Sequence, residues 1–148
     1  MKRFKFKETL RVRFAETDAQ GVVWNGNYLT YFDVAMTEYL RAMGLAYQEV
    51  VGESLEFVLA RFEIDYKAPA AFDDPVEIYT GVSRIGNASI AFGFEMFNGD
   101  NGLLLTQGQA IYVVLDRRTG ATTRVPDRFR RLAGKFEGKI FSQASKDG

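Results

Sequence analysis

Apolar and polar residues alternate from Glu8 to Phe14, with Leu10, Val12 and Phe14 on one face and Thr9, Arg11 and Arg13 on the other. A period of two predicts a half-buried strand. From Ala15 to Gly26 the run AETDAQGVVWNG breaks this alternation with Asp, Gly and Asn, which predicts a loop holding an apolar patch, Val22, Val23 and Trp24. The period then changes. Tyr28, Phe32, Ala35, Tyr39 and Ala42 recur at spacings of three and four, Asn27 stands where a cap belongs and Gly44 follows, so a helix is predicted from Tyr28 to just before Gly44. A second apolar set, Leu29, Val34, Met36, Leu40 and Met43, predicts that this helix is covered on most sides.

After an irregular stretch around Gly52, strand patterns dominate. Phe57, Leu59, then Phe62, Ile64 and Tyr66 alternate except for a slip at Ala60 and Arg61, which predicts a bulge or a change of face. The loop KAPAAFDDP separates this run from Val76, Ile78, Thr80 and Val82, and a turn at Ile85, Gly86 and Asn87 leads into Ile90, Phe92, Phe94 and Met96. Asn98 to Gly102 reads as a hairpin turn before a last long strand, Leu103 to Asp116. The turn DRRTG follows, Pro126 opens a short helix over DRFRRLAG, and the tail 139–148 shows no sustained pattern and is expected to fray. Strand, helix, then four antiparallel strands define an α+β class in which an antiparallel sheet can curl around one long, broadly apolar helix.

With 148 residues, 47% hydrophobic and 26% charged, the chain has the size of one globular domain, 1–148, and needs no disulfide or structural metal to hold a core. It contains no Cys and no His. Cys/His zinc sites, thiolate nucleophiles, Ser-His-Asp triads and imidazole acid/base chemistry are therefore excluded, which leaves carboxylates, hydroxyls, amides, Lys, Arg, Tyr and the backbone. Nineteen basic residues balance nineteen acidic ones, so no overall field favours nucleic acid or an anionic membrane. The opening MKRFKFKETLRVRF alternates where a signal peptide would be apolar, and no run approaches a membrane span; no membrane insertion and a cytoplasmic location are expected.

The loop before the helix carries the chemistry. A helix N-terminus presents unpaired N–H groups and partial positive charge, which can polarise a carbonyl or hold an anion, and glycines let a ligand approach the backbone. Asp18 places a carboxylate beside those donors, and Val22, Val23 and Trp24 are expected to line a pocket and exclude water. Read alone, Asp18 and Asn27 could equally be turn and capping residues, and Gly21 and Gly26 turn glycines.

The run Asp18-Ala19-Gln20-Gly21-Val22-Val23-Trp24-Asn25-Gly26-Asn27-Tyr28-Leu29 resembles the signature of the 4-hydroxybenzoyl-CoA thioesterase family, a branch of the hotdog-fold acyl-CoA thioesterases. Arg11 to Phe14, Tyr31-Phe32, Glu38-Tyr39-Leu40, Ile64 to Pro69 and Thr119-Gly120 to Pro126 extend the likeness over about residues 8 to 133. The resemblance implies a hotdog fold, a sheet wrapped around one central helix, and hydrolysis of a CoA thioester to free acid and CoA with no metal or redox cofactor. It puts the catalytic carboxylate on Asp18, as nucleophile or as base for water, and the N–H that polarises the thioester carbonyl on Asn25, where relatives carry His or Tyr. Gly21, Val23, Trp24, Gly26, Asn27 and Tyr28 are expected around the substrate, with Arg84 and Ser89 toward its pantetheine and phosphates; Lys67, Arg128, Arg130 and Arg131 are further cations for the phosphates. A homodimer or homotetramer is also implied. The alternative is a noncatalytic acyl-CoA or lipid-binding hotdog module; a hydratase, which normally recruits His, fits this chain badly, and a scaffold protein would bind no acyl-CoA.

Overall fold

The computed structural model describes residues 2–46 and 54–141. Five strands, β1 (Phe6–Arg11), β2 (Leu55–Tyr66), β3 (Pro75–Ile85), β4 (Ser89–Asn98) and β5 (Leu104–Asp116), form one antiparallel sheet in the order β1-β3-β4-β5-β2. Helix α1 (Asn27–Ala42) lies between β1 and β2, and α2 (Asp127–Glu137) follows β5. The chain forms two compact units, one of Met1–Tyr39, Glu63–Gly81 and Gly93–Gly108, the other of Leu40–Phe62, Val82–Phe92 and Gln109–Gly148.

In the first unit β1 pairs with β3 in the register Phe6↔Thr80, Glu8↔Ile78 and Leu10↔Val76. The helix docks through aromatic rings: Phe32 meets Phe94 at 5.4 Å between centroids and Phe6 meets Tyr39 edge-on at 5.6 Å. Tyr31, Phe32, Ala35 and Tyr39 are completely buried there, with Val76, Ile78, Phe94 and Met96 from the sheet. In the second unit Phe57 on β2 packs against Phe129 on α2 at 6.0 Å, and Phe92 against Tyr112 at 5.7 Å.

Strand β1 begins two residues earlier than the alternation predicted and stops at Arg11. Phe14, expected on the buried face, is 76% exposed. The cause is local: the Glu16 carboxylate accepts the Arg13 N–H at 2.9 Å and its guanidinium at 2.8 Å, folding Phe14–Glu16 into a 3-10 turn that ends the strand geometry. The Phe14 ring meets the exposed Phe72 ring edge-on instead. On α1 the first apolar set is buried as predicted except Ala42, while Val34 from the second set is exposed. The slip in β2 is a change of face within a continuous strand: partial burial falls on Leu55 and Phe57, then on Phe62 and Ile64, with residues 58–61 exposed between them. Helix α2 runs three residues beyond the expected segment and closes where Gly138 takes a left-handed conformation, its N–H donating to the Gly134 carbonyl. The irregular stretch at Gly52 and most of the predicted frayed tail lie outside the described residues. Among the described residues no helix is long and apolar enough to cross a membrane.

Candidate active site

The loop between β1 and α1 folds back on itself. Thr17 and Val23 form an antiparallel bridge, the Asp18 N–H donates to the Val22 carbonyl at 2.9 Å, and the Trp24 N–H donates to the Glu16 carbonyl at 2.9 Å. Gly21 closes the turn with φ of +81°, a conformation that side chains disfavour, and its N–H donates to the Asp18 carbonyl. The returning arm is fixed to the segment before β3, because Val22 bridges Ala71 and the Val23 N–H donates to the Ala70 carbonyl at 2.8 Å. Asp18 therefore sits, half-buried, at the start of a turn braced on both arms. Its Oδ1 accepts the Gln20 N–H at 2.8 Å, and among the described residues its second oxygen has no partner.

Nine residues after Asp18 the chain enters α1. The Asn27 N–H donates to the Trp24 carbonyl at 2.9 Å, and the Tyr66 hydroxyl donates to the Asn25 carbonyl at 2.9 Å. These two bonds fix the peptide planes on either side of Asn25. In a trans peptide the C=O and the next N–H point in opposite directions, so the Trp24 carbonyl turned toward Asn27 leaves the Asn25 N–H directed away from the helix. Among the described residues that N–H has no acceptor. The arrangement offers a braced, unengaged main-chain donor at a helix N-terminus.

Asn27 is the first residue of α1, and its side-chain Nδ2 donates to the Glu16 carbonyl at 2.8 Å, tying the helix start back to the loop. The expected lining patch divides: Val23 is buried and Val22 half-buried, but Trp24 is 58% exposed. Successive residues of an extended arm face opposite ways, so Val23 turned inward sends Trp24 outward. The indole folds over Gly26, where an added Cβ would lie 2.2 Å from the ring. Gly26 is thus required by this packing rather than by a left-handed backbone.

Sequence reasoning missed the residue at the centre of the bracing. Besides the Trp24 and Asn27 bonds to its carbonyl, Glu16 accepts the Tyr31 hydroxyl at Oε1 (2.7 Å) and the Arg13 guanidinium at Oε2, and its side chain is only 13% exposed. Burial on its own raises the Glu16 pKa, but the Arg13 and Tyr31 hydrogen bonds overcome it and hold the carboxyl below its ordinary range. Burial, then the adjacent Glu16 carboxylate, push Tyr31 far above a normal phenol, and it stays protonated as a donor. Burial also raises Tyr28, whose ring meets Tyr31 and Tyr66 edge-on, each at 5.7 Å. Tyr31 falls outside both helical apolar sets; the Arg13-x-x-Glu16 spacing was the available signal, and it reads equally as a surface pair.

Asp18, Gly21, Val23, Trp24, Asn25, Gly26, Asn27 and Tyr28 are all in the first unit, whereas Arg84, exposed on β3, and Ser89, buried at the start of β4, belong to the second. Of the other expected cations, Lys67, Arg128 and Arg131 are exposed, but Arg130 is only 2% exposed, its guanidinium bonded to main-chain carbonyls. Arg130 is therefore a structural cation rather than a mobile surface charge.

Residues 20–105 match the model of the Thioesterase superfamily, beginning two residues after Asp18. The "Acyl-CoA thioesterase YbgC" of Haemophilus influenzae is 35% identical over 112 residues, which are 75% of this chain and 81% of that protein. The "Acyl-CoA thioester hydrolase YbgC" of Escherichia coli O6:H1 is 32% identical over 111 residues, 75% of this chain and 82% of its own length. Among solved structures, the DHNA-CoA thioesterase from Staphylococcus aureus superposes with a TM-score of 0.80 at 26% identity, covering 90% of this chain and 95% of that one. A hypothetical protein from Aquifex aeolicus gives 0.79 at 28% identity, covering 87% and 99%. The fold expected from the signature, the hotdog fold, is the fold of these neighbours.

Proposed function

Because the chain belongs to the Thioesterase superfamily and is a thioester hydrolase, we propose that it cleaves acyl-CoA thioesters with Asp18 as the reacting carboxylate and the Asn25 N–H as the donor that polarises the thioester carbonyl. The observation that carries this reading is the pairing on one braced loop of a carboxylate with a spare oxygen and a main-chain N–H with no acceptor among the described residues. The acyl-CoA class is supported by the relatives named as acyl-CoA hydrolases.

A carboxylate can serve as nucleophile or base without a His to activate it. As nucleophile, an Asp18 oxygen adds to the thioester carbon, the C–S bond breaks, CoA leaves as thiolate, and water cleaves the resulting mixed anhydride to free acid and the regenerated carboxylate. As base, Asp18 takes a proton from water as its oxygen adds to the same carbon, and the thiolate takes the proton on leaving. Both routes build negative charge on the carbonyl oxygen. One donor at that position typically supplies about 2.7–4 kcal/mol of transition-state stabilisation. Asn25 acts through its backbone in this scheme, so replacements other than Pro retain the donor.

The test is release of free thiol from short, long and aromatic acyl-CoAs. Steady multiple turnover on at least one class is expected. A protein that binds acyl-CoAs without releasing thiol would instead be the noncatalytic hotdog module.

A further inference from the structure

Within the second unit, α2 and the segments flanking it line an open pocket of about 480 Å³ that the proposed chemistry does not use. Its walls include Arg124, Arg130, Arg131, Lys135 and Lys139, against one carboxylate, Asp127. Arg124 pairs with Asp127 at 3.1 Å. Among the described residues Arg131, Lys135 and Lys139 have no carboxylate within 4.0 Å, and all three are exposed.

Arg130, a buried cation in this lining, is hydrogen-bonded to main-chain carbonyls and, among the described residues, to no carboxylate. Arg130 donates from Nε to the Val125 carbonyl at 3.1 Å, from Nη2 to the Gly86 and Asn87 carbonyls at 2.7 and 3.1 Å, and from Nη1 to the Phe141 carbonyl at 3.2 Å. A guanidinium has five N–H groups, so one on Nη1 has no acceptor among the described residues. Burial, then the neighbouring Arg124 charge, lower the Arg130 pKa, and the Asp127 carboxylate offsets them only in part. Carbonyl dipoles solvate a buried cation but do not neutralise it, and a positive excess around a concave, partly desolvated site is relieved by an anion. Planar guanidinium forks and flexible ammonium groups together match the several oxygens of a phosphate.

We propose that this cavity is a binding site for a phosphate or diphosphate group, with Arg130 as its fixed base and Arg131, Lys135 and Lys139 as its adjustable rim. Two sources carry that chemistry: the phosphates of a CoA thioester, which rests on the function proposed above, and a separate phosphorylated ligand, which does not.

The test is calorimetric titration of the full chain with inorganic pyrophosphate, for wild type and the double variant Arg131→Gln, Lys135→Gln. Both changes are on an exposed helix face, and retention of the thermal midpoint checks that α2 is intact. Wild type should bind in a salt-dependent manner, and the double variant about 10-fold more weakly or worse, the scale of losing charge-assisted hydrogen bonds. A parallel comparison of KM on an acyl-CoA and on the matching N-acetylcysteamine thioester, which has no phosphate, separates the sources. A rise in KM confined to the acyl-CoA assigns the cavity to substrate phosphates. Loss of pyrophosphate binding with both KM values unchanged assigns it to a separate ligand. Absence of pyrophosphate binding to wild type at millimolar concentration, or equal affinity in the double variant, would overturn the site whether or not the protein hydrolyses thioesters.

Discussion

Two carboxylates two residues apart on the same loop have opposite surroundings. Glu16 is nearly enclosed, its side chain bonded to Arg13 and Tyr31 and its carbonyl to Trp24 and Asn27. Asp18 is half-buried, its carboxylate accepts only the Gln20 N–H among the described residues, and it keeps one oxygen spare. A fully bonded carboxylate is a brace, since any attack would first have to break its hydrogen bonds. In the proposed reaction the spare one is the reagent. On the proposed function, position 16 supplies rigidity and position 18 reactivity, and Tyr66 extends the brace to Asn25.

Substitutions can break this contrast from either side. The largest effect on turnover is expected at position 18, where Asp18→Asn should lower kcat by at least about 100-fold, the scale of removing a nucleophile or base. Circular dichroism should show an unchanged fold, because an amide oxygen still accepts the Gln20 N–H. Next, Glu16→Ala should lower kcat by about 10-fold through misplacement of the donor loop. It also strands the buried Tyr31 hydroxyl, a loss of about 1–3 kcal/mol that a thermal melt should read as a drop of roughly 2–12 °C. Tyr66→Phe removes one bond to the Asn25 carbonyl and should cost a factor of about 2 to 10 in kcat, with little change in KM.

The smallest and most specific effect is on pH. Glu16 titrates below its ordinary range in the folded protein, so the unfolded chain takes up the proton first as pH falls. Its stabilising contribution is present above the ordinary glutamate pKa of about 4.3 and disappears as pH drops through the lower folded value. Denaturant midpoints of wild type and Glu16→Gln should therefore converge as pH falls below about 4. Parallel curves down to that range would remove the ionised brace.

Much of this was legible beforehand. The order of elements, the α1 stripe at Tyr28, Phe32, Ala35 and Tyr39, and the strand that became β3 follow from periodicity, because burial on one face imposes it directly. Phe14 misled because alternation continues in the letters after the Arg13 and Glu16 pair has turned the backbone. Tyr31 is outside both predicted apolar sets although it stands three residues after Tyr28 and four before Ala35; what no local pattern encodes is its hydroxyl's partner, fifteen positions away. Trp24 reads as a water-excluding residue by hydropathy, yet its direction was decided by Val23 taking the inward side of the same short arm. The candidate carboxylate was found from the signature, but its brace required the fold.

The most direct measurement pairs kcat with the thermal midpoint for Asp18→Asn and Glu16→Ala on one acyl-CoA substrate. Asp18→Asn should lose at least about ten times more turnover than Glu16→Ala while losing less thermal stability, giving a crossover between the two readouts. If Asp18→Asn keeps near-wild-type turnover, or if activity simply follows stability across the pair, the reacting carboxylate is not at position 18.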